Sequence, residues 1–144
     1  MTYITMLFLT RKPTLTPEQF KAYYETKHIP YIKSLSGHLS PLRHRRWYLA
    51  HAGSEGSADP TIPNYPPLVL RGTSEEFDYD CIAEISWEDA NTFQEFSKLL
   101  MDEEIAAKLA VDEEQFLVRE KLRAVAIGEV IETLRDELKG REHD

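Results

Sequence analysis

A chain of 144 residues is long enough for one domain with a real core and too short for two comfortable ones. Its net charge of −8 disfavours nonspecific nucleic-acid binding, which needs a basic surface, and no apolar run is long enough to cross a membrane. The single cysteine, Cys81, excludes an internal disulfide, suits a reducing, cytoplasmic setting and sits in an apolar strand pattern as a core residue.

The opening run YITMLFLT (residues 3–10) has strand length and apolar residues on both faces, so it reads as a buried first strand rather than a signal peptide. After the RKPT turn, Thr16 is a good N-cap, Pro17 suits the first helical position and Gln19 can complete a capping box. Phe20, Tyr24, His28, Ile32 and Leu35 then recur at near-helical spacing, and Gly37 ends the segment. Pro30 falls inside this helix, where it removes a hydrogen bond and strains the preceding turn. The helix must stop early or make use of the distortion.

Residues 42–50 read as a second strand, and residues 51–77 as a long loop carrying four of the eight prolines. Within it, residues 53–72 are expected to form a lid or rim, because Ile62, Tyr65, Leu68 and Leu70 are more than a solvated loop needs. A third strand is expected over 78–87, a second helix over 88–102, a short helical piece over 103–117 and a fourth strand over 119–127. Residues 128–144 are amphipathic and are expected to form an extra C-terminal helix or tail.

This order, β-α-β-β-α-β, predicts a single α+β domain over residues 1–144 with the ferredoxin-like arrangement, a four-stranded antiparallel sheet with helices on one face. The strands are too apolar to leave the other face wet, so a homodimer with sheets packed face to face is expected.

His28 lies on the helix face that covers the sheet, beside the Pro30 distortion. On the third strand, Asp80 and Glu84 alternate onto one face, where carboxylates are costly unless paired or wet. A carboxylate such as Asp80 facing His28 would fix its tautomer and prepare it for general acid–base work. On the second strand His44, Arg46 and Tyr48 share one face and Arg43, Arg45 and Trp47 the other. The first set makes the more versatile cavity wall; the bland alternative has Arg46 neutralising Asp80 or Glu84. The sequence carries no Gly-rich phosphate loop and no nucleophile elbow. His28, His44 and Asp80 lack any recognised metal spacing, and DEEQF (residues 112–116) reads as a solvated turn rather than a calcium site. No cofactor and no metal are expected.

RKPTLTPEQFKAYYETKHIPYI, HRRWY, FDYDCIAEISW and DEEQFL, in this order, resemble the EthD-domain family, particularly its fungal members. The resemblance runs from about residue 7 to residue 127, interrupted by the Pro-rich loop. It implies a dimeric α+β barrel whose cavity lies between sheet and helices. The family's His-x-Pro falls on His28 and Pro30, its paired basic residues on Arg45 and Arg46, and its acidic strand on Asp80 and Glu84. Similar fungal proteins are decarboxylases or dehydratases of aromatic polyketide acids; others of the fold are cofactor-free cyclases, quinone-forming monooxygenases or haem-binding enzymes.

The expected function is a cofactor-independent lyase acting on an aromatic polyketide acid. His28 and Asp80 are the expected catalytic residues. Arg46, with His44, would hold the anion, Tyr24, Tyr31 and Tyr48 would supply aromatic walls with polar tips, and Glu84 would join the substrate-binding set. A binding protein of the same fold without turnover is the alternative from another class. The expected partners are a small aromatic molecule and a second copy of the chain.

Overall fold

The computed structural model describes residues 2–51 and 65–137. Four strands, β1 (Tyr3–Leu9), β2 (Arg43–Tyr48), β3 (Cys81–Trp87) and β4 (Arg123–Ile127), form one sheet in the order β2-β3-β1-β4. All three pairings are antiparallel. The helices α1 (Pro17–Tyr23), α2 (Ile29–Ser36), α3 (Ala90–Met101) and α4 (Glu103–Glu113) supply the two crossovers of the expected β-α-β-β-α-β order. β3 and β4 start later than their apolar patterns suggest, and a 3₁₀ turn, Arg119–Lys121, occupies the start of the predicted fourth strand.

Register decides which side chains can reach the helices, because directly paired residues share a face. Tyr48 pairs with Cys81, and Cys81 with Leu9; Arg46 pairs with Ala83, and Ala83 with Leu7. Leu9, Cys81 and Ala83 pack with Phe20, Tyr24 and Phe116 in the core between sheet and helices. The His44, Arg46, Tyr48 row therefore faces the helices. The opposite face carries Ile4, Met6, Phe8, Ile82 and Trp47, with Trp47 half exposed and no helix over it. Burial pushes the Cys81 thiol up to about 12, consistent with a packing role.

Helix α1 starts as its sequence prescribes: the Thr16 hydroxyl accepts from the Gln19 amide at 3.1 Å, and the Gln19 side chain accepts from the Thr16 amide at 2.9 Å. The Pro30 question has a structural answer. The helix does not stop but passes through a π-helical turn, Tyr24–His28, before α2 begins. The Ile29 amide donates to the Tyr24 carbonyl, five residues back, so the ladder shifts register just where proline cannot donate. Tyr24 and His28 both end up buried on the sheet side. Gly37, at φ +54°, closes α2 in a conformation that a side chain would resist.

Of the lid predicted over 53–72, the part before Tyr65, including Ile62, lies outside the described residues. Tyr65 packs under the Arg11 guanidinium, with 5.3 Å to the ring centroid. Leu68 and Leu70 stand in solvent instead of folding over a cavity, Leu70 being 93% exposed. The extra C-terminal helix is not seen over residues 128–134; residues 135–137 are helical, and those beyond lie outside the described residues. No helix among the described residues is long and apolar enough to cross a membrane.

Candidate active site

The π-turn delivers His28 into a buried position against the Phe116 ring, with centroids 4.9 Å apart. Its Nδ1–H donates to Asp112 Oδ2 at 2.5 Å, a buried pair. The other oxygen of Asp112 accepts from the Tyr23 hydroxyl at 2.8 Å. A carboxylate that only accepts fixes His28 as the Nδ1–H tautomer and leaves Nε2 as the working nitrogen. Among the described residues, Nε2 of His28 has no hydrogen-bond partner. Burial and the Asp112 charge raise Tyr23 to about 12, so its hydroxyl stays a donor throughout the neutral range.

Asp112, not Asp80, orients His28. Asp80 lies just before β3, in a cleft that α1 also lines through Pro17, Phe20 and Lys21, and its carboxylate is taken by others. The Arg11 amide donates to Oδ2 at 2.7 Å, Arg11 Nε donates to Oδ1 at 3.2 Å, and His51 Nε2 lies 3.0 Å from Oδ1. Strand parity predicts one face for Asp80 and Glu84, but β3 begins only at Cys81, so parity governs Glu84 alone, and its face is opposite to His28. Glu84 accordingly meets Arg45 at 3.1 Å on the helix-free side and is not brought to the His28 site. Asp112 went unrecognised because DEEQF reads as solvated. The signal was present: carboxylates in the last turn of a helix oppose its dipole, and three in a row there need a reason.

Four of the expected wall residues, Tyr24, His44, Arg46 and Tyr48, do come together. The Tyr24 hydroxyl and His44 Nε2 share a hydrogen bond of 2.9 Å. Arg46 donates to Glu25 through Nε at 2.8 Å and Nη2 at 2.5 Å, and through Nη1 to the His44 carbonyl. The Tyr48 hydroxyl donates to the same Glu25 carboxylate. Arg46 thus neither meets Asp80 nor Glu84; its fork is engaged by Glu25, which it holds well below the usual carboxylate range. Burial, then the Arg46 charge, lowers His44 to about 4, so its ring is neutral near pH 7. Burial raises the Tyr24 and Tyr48 hydroxyls far above their ordinary values. Tyr31 is separated from this wall: it lines an outer cleft of about 340 Å³ with Tyr23, Lys27 and Asp112.

Two clefts flank the wall. One, of about 410 Å³, is lined by Lys21, Glu25, His44, Arg46 and Tyr48. The other, of about 290 Å³, is lined by Phe20, Lys21, Tyr48, His51 and Asp80 among others. His28 lines neither, nor any other principal cleft among the described residues. No three or more His, Cys, Asp or Glu side chains among the described residues converge as metal ligands.

Solved structures of similar fold include an Arabidopsis thaliana protein, 11% identical, with a TM-score of 0.51 over 92% of this chain and 99% of that one. An EthD family protein from Bacillus halodurans is 13% identical, with a TM-score of 0.49 over 89% and 99% of the two chains. SnoaB from Streptomyces nogalater, a cofactor-independent oxygenase, is 12% identical, with a TM-score of 0.42 over 93% and 95%. No curated protein matches the chain. The EthD domain model matches residues 12–120, which take in the π-turn with His28, the β2 wall and Asp112, and the chain belongs to the EthD domain family.

Proposed function

We propose that the chain is a cofactor-independent lyase, a decarboxylase or dehydratase of an aromatic polyketide acid, with His28 as the general acid–base. The observation that carries this reading is the buried His28–Asp112 pair, whose Nε2 has no protein partner among the described residues. The polyketide class rests on the resemblance to fungal family members, and the aromatic wall of Tyr24 and Tyr48 suits it. In decarboxylation the bond between the α-carbon and the carboxyl carbon breaks, carbon dioxide leaves, and the electron pair moves onto the β-carbonyl. The His28 imidazolium then returns a proton to the α-carbon. In dehydration the neutral ring removes an α-proton, and the β-hydroxyl departs as water with the proton that the resulting imidazolium hands to it. In both, Asp112 offsets the charge on the ring while Tyr23 holds Asp112. Asp80 has no step in this scheme; its place is with Arg11 and His51.

One observation favours a second reading. His28 lines none of the principal clefts, so a protein that held its ligand in the flanking clefts without transforming it would look the same there. We also propose that the helix-free face, with Phe8, Trp47 and Ile82, is covered by a second copy of the chain. A stable monomer in sedimentation at micromolar concentration would contradict that.

Incubating the purified protein with a panel of anthraquinone-type polyketide acids, with and without oxygen, separates the readings. A lyase releases carbon dioxide or water irrespective of oxygen. An oxygen-dependent product would replace the lyase by a monooxygenase, and a ligand recovered unchanged from a tight complex would replace it by a binding protein.

A further inference from the structure

The arginines and the histidine of the wall offer no free cation among the described residues. Arg46 spends its fork on Glu25, and His44 is neutral near pH 7. Beyond the wall, Arg11 is held by Asp80 and Arg45 by Glu84. A carboxylate or phenolate entering the clefts beside Tyr48 would find each of these cations already matched by an acid of the chain.

Lys21 is the exception. It sits on α1, one turn after Pro17, and lines both the 410 Å³ cleft and the 290 Å³ cleft. No carboxylate among the described residues lies within ion-pair distance of its ammonium, although Glu18 and Glu25 are three and four residues away. Glu25 is saturated by Arg46 and Tyr48. The ammonium instead lies 5.4 Å from the centroid of the Tyr48 ring. The two clefts share Lys21 and Tyr48, so a cation with no carboxylate partner among the described residues and an aromatic ring stand together at the junction of two spaces.

We infer that Lys21 is the specificity-determining residue for the acid group of the ligand, which is an aromatic carboxylate or phenolate seated across the junction of the two clefts. The anion binds the ammonium, and the aromatic body lies along Tyr48, which the Glu25 bond holds in place. This deepens the reading of the protein as one acting on an aromatic acid, and rests on it only for the ligand class. A lysine is suited to the role because its stem can follow the anion as a point charge, without the planar geometry an arginine imposes. The contact is partly solvated, so it should contribute modestly and fade with salt.

The test compares anthraquinone-2-carboxylate with the neutral anthraquinone-2-carboxamide, binding each to the full chain and to Lys21→Met and Lys21→Arg. Lys21 is exposed on a helix that tolerates methionine well, and melting curves verify that the variants fold. The parent should favour the acid by about two- to fivefold, Lys21→Met should lose that preference with carboxamide binding unchanged, and Lys21→Arg should keep most of it. A Lys21→Met protein with the parent's preference, or a parent that binds both equally, overturns the role of Lys21. A parent that binds neither compound overturns the aromatic-acid reading with it, whereas loss of preference without any turnover would leave Lys21 in place and remove the lyase.

Discussion

Asp112 and Asp80 each receive a histidine, yet the two carboxylates are used in opposite ways. Asp112 takes two side-chain donors, the His28 ring and the Tyr23 hydroxyl, so its charge acts on the ring. Asp80 takes His51 together with the Arg11 guanidinium and amide, so its charge is met by a permanent cation before the histidine adds anything. In the function proposed above, the first pair is the one that moves a proton. The second fastens the chain after β1 to the start of β3 and to the end of β2. An Asp beside a His does not make a catalytic pair; what else the carboxylate holds decides it.

Substitution should separate the pairs most sharply at His28. His28→Asn should fold near the parent's melting temperature and lose turnover about 10²–10⁴-fold, because an amide does not exchange protons near neutral pH. Asp112→Asn should lose less, about 10–100-fold, since orientation is only part of the effect. Asp80→Asn should reverse the pattern. Removing one partner of a buried ion pair costs about 3 kcal/mol, so its melting temperature should fall by about 10 °C while turnover at a permissive temperature changes little. Equal losses of turnover in Asp80→Asn and Asp112→Asn would erase the distinction.

Acid should probe the wall between the pairs. His44 titrates at about 4 in the folded chain against an ordinary value near 6.5, so between those values the unfolded chain binds a proton that the folded chain refuses. Stability should therefore fall as pH drops from about 6.5 to 4, by about 1–3 kcal/mol from this group. His44→Gln, which keeps an acceptor for the Tyr24 hydroxyl, should flatten the melting temperature over that window. The smallest effect is expected at Tyr23→Phe, which removes one bond to Asp112 worth about 1 kcal/mol, and should lower kcat severalfold with KM unchanged.

The sequence was most informative where periodicity carries the information. Strand alternation separated His44, Arg46 and Tyr48 from Arg43, Arg45 and Trp47, and the capping box at Thr16 placed the first helix. It was least informative about pairing across the fold. Alternation predicts one face for Asp80 and Glu84, but β3 begins only at Cys81, and parity does not say which face meets the helices; the register through Cys81 and Ala83 does. Asp112 lies 84 residues from His28, and no local pattern links them. Pro30 announced a distortion without revealing its form, since a π-turn and a helix end satisfy the same missing donor.

The most direct measurement is the tautomer of His28, read by nitrogen NMR of the imidazole at neutral pH in the parent and in Asp112→Asn and Asp80→Asn. Nδ1 should carry a proton in the parent, the His28 signal should change in Asp112→Asn, and the change in Asp80→Asn should be confined to His51. A parent carrying its proton on Nε2, or a His28 signal that answers to Asp80 instead of Asp112, would contradict it.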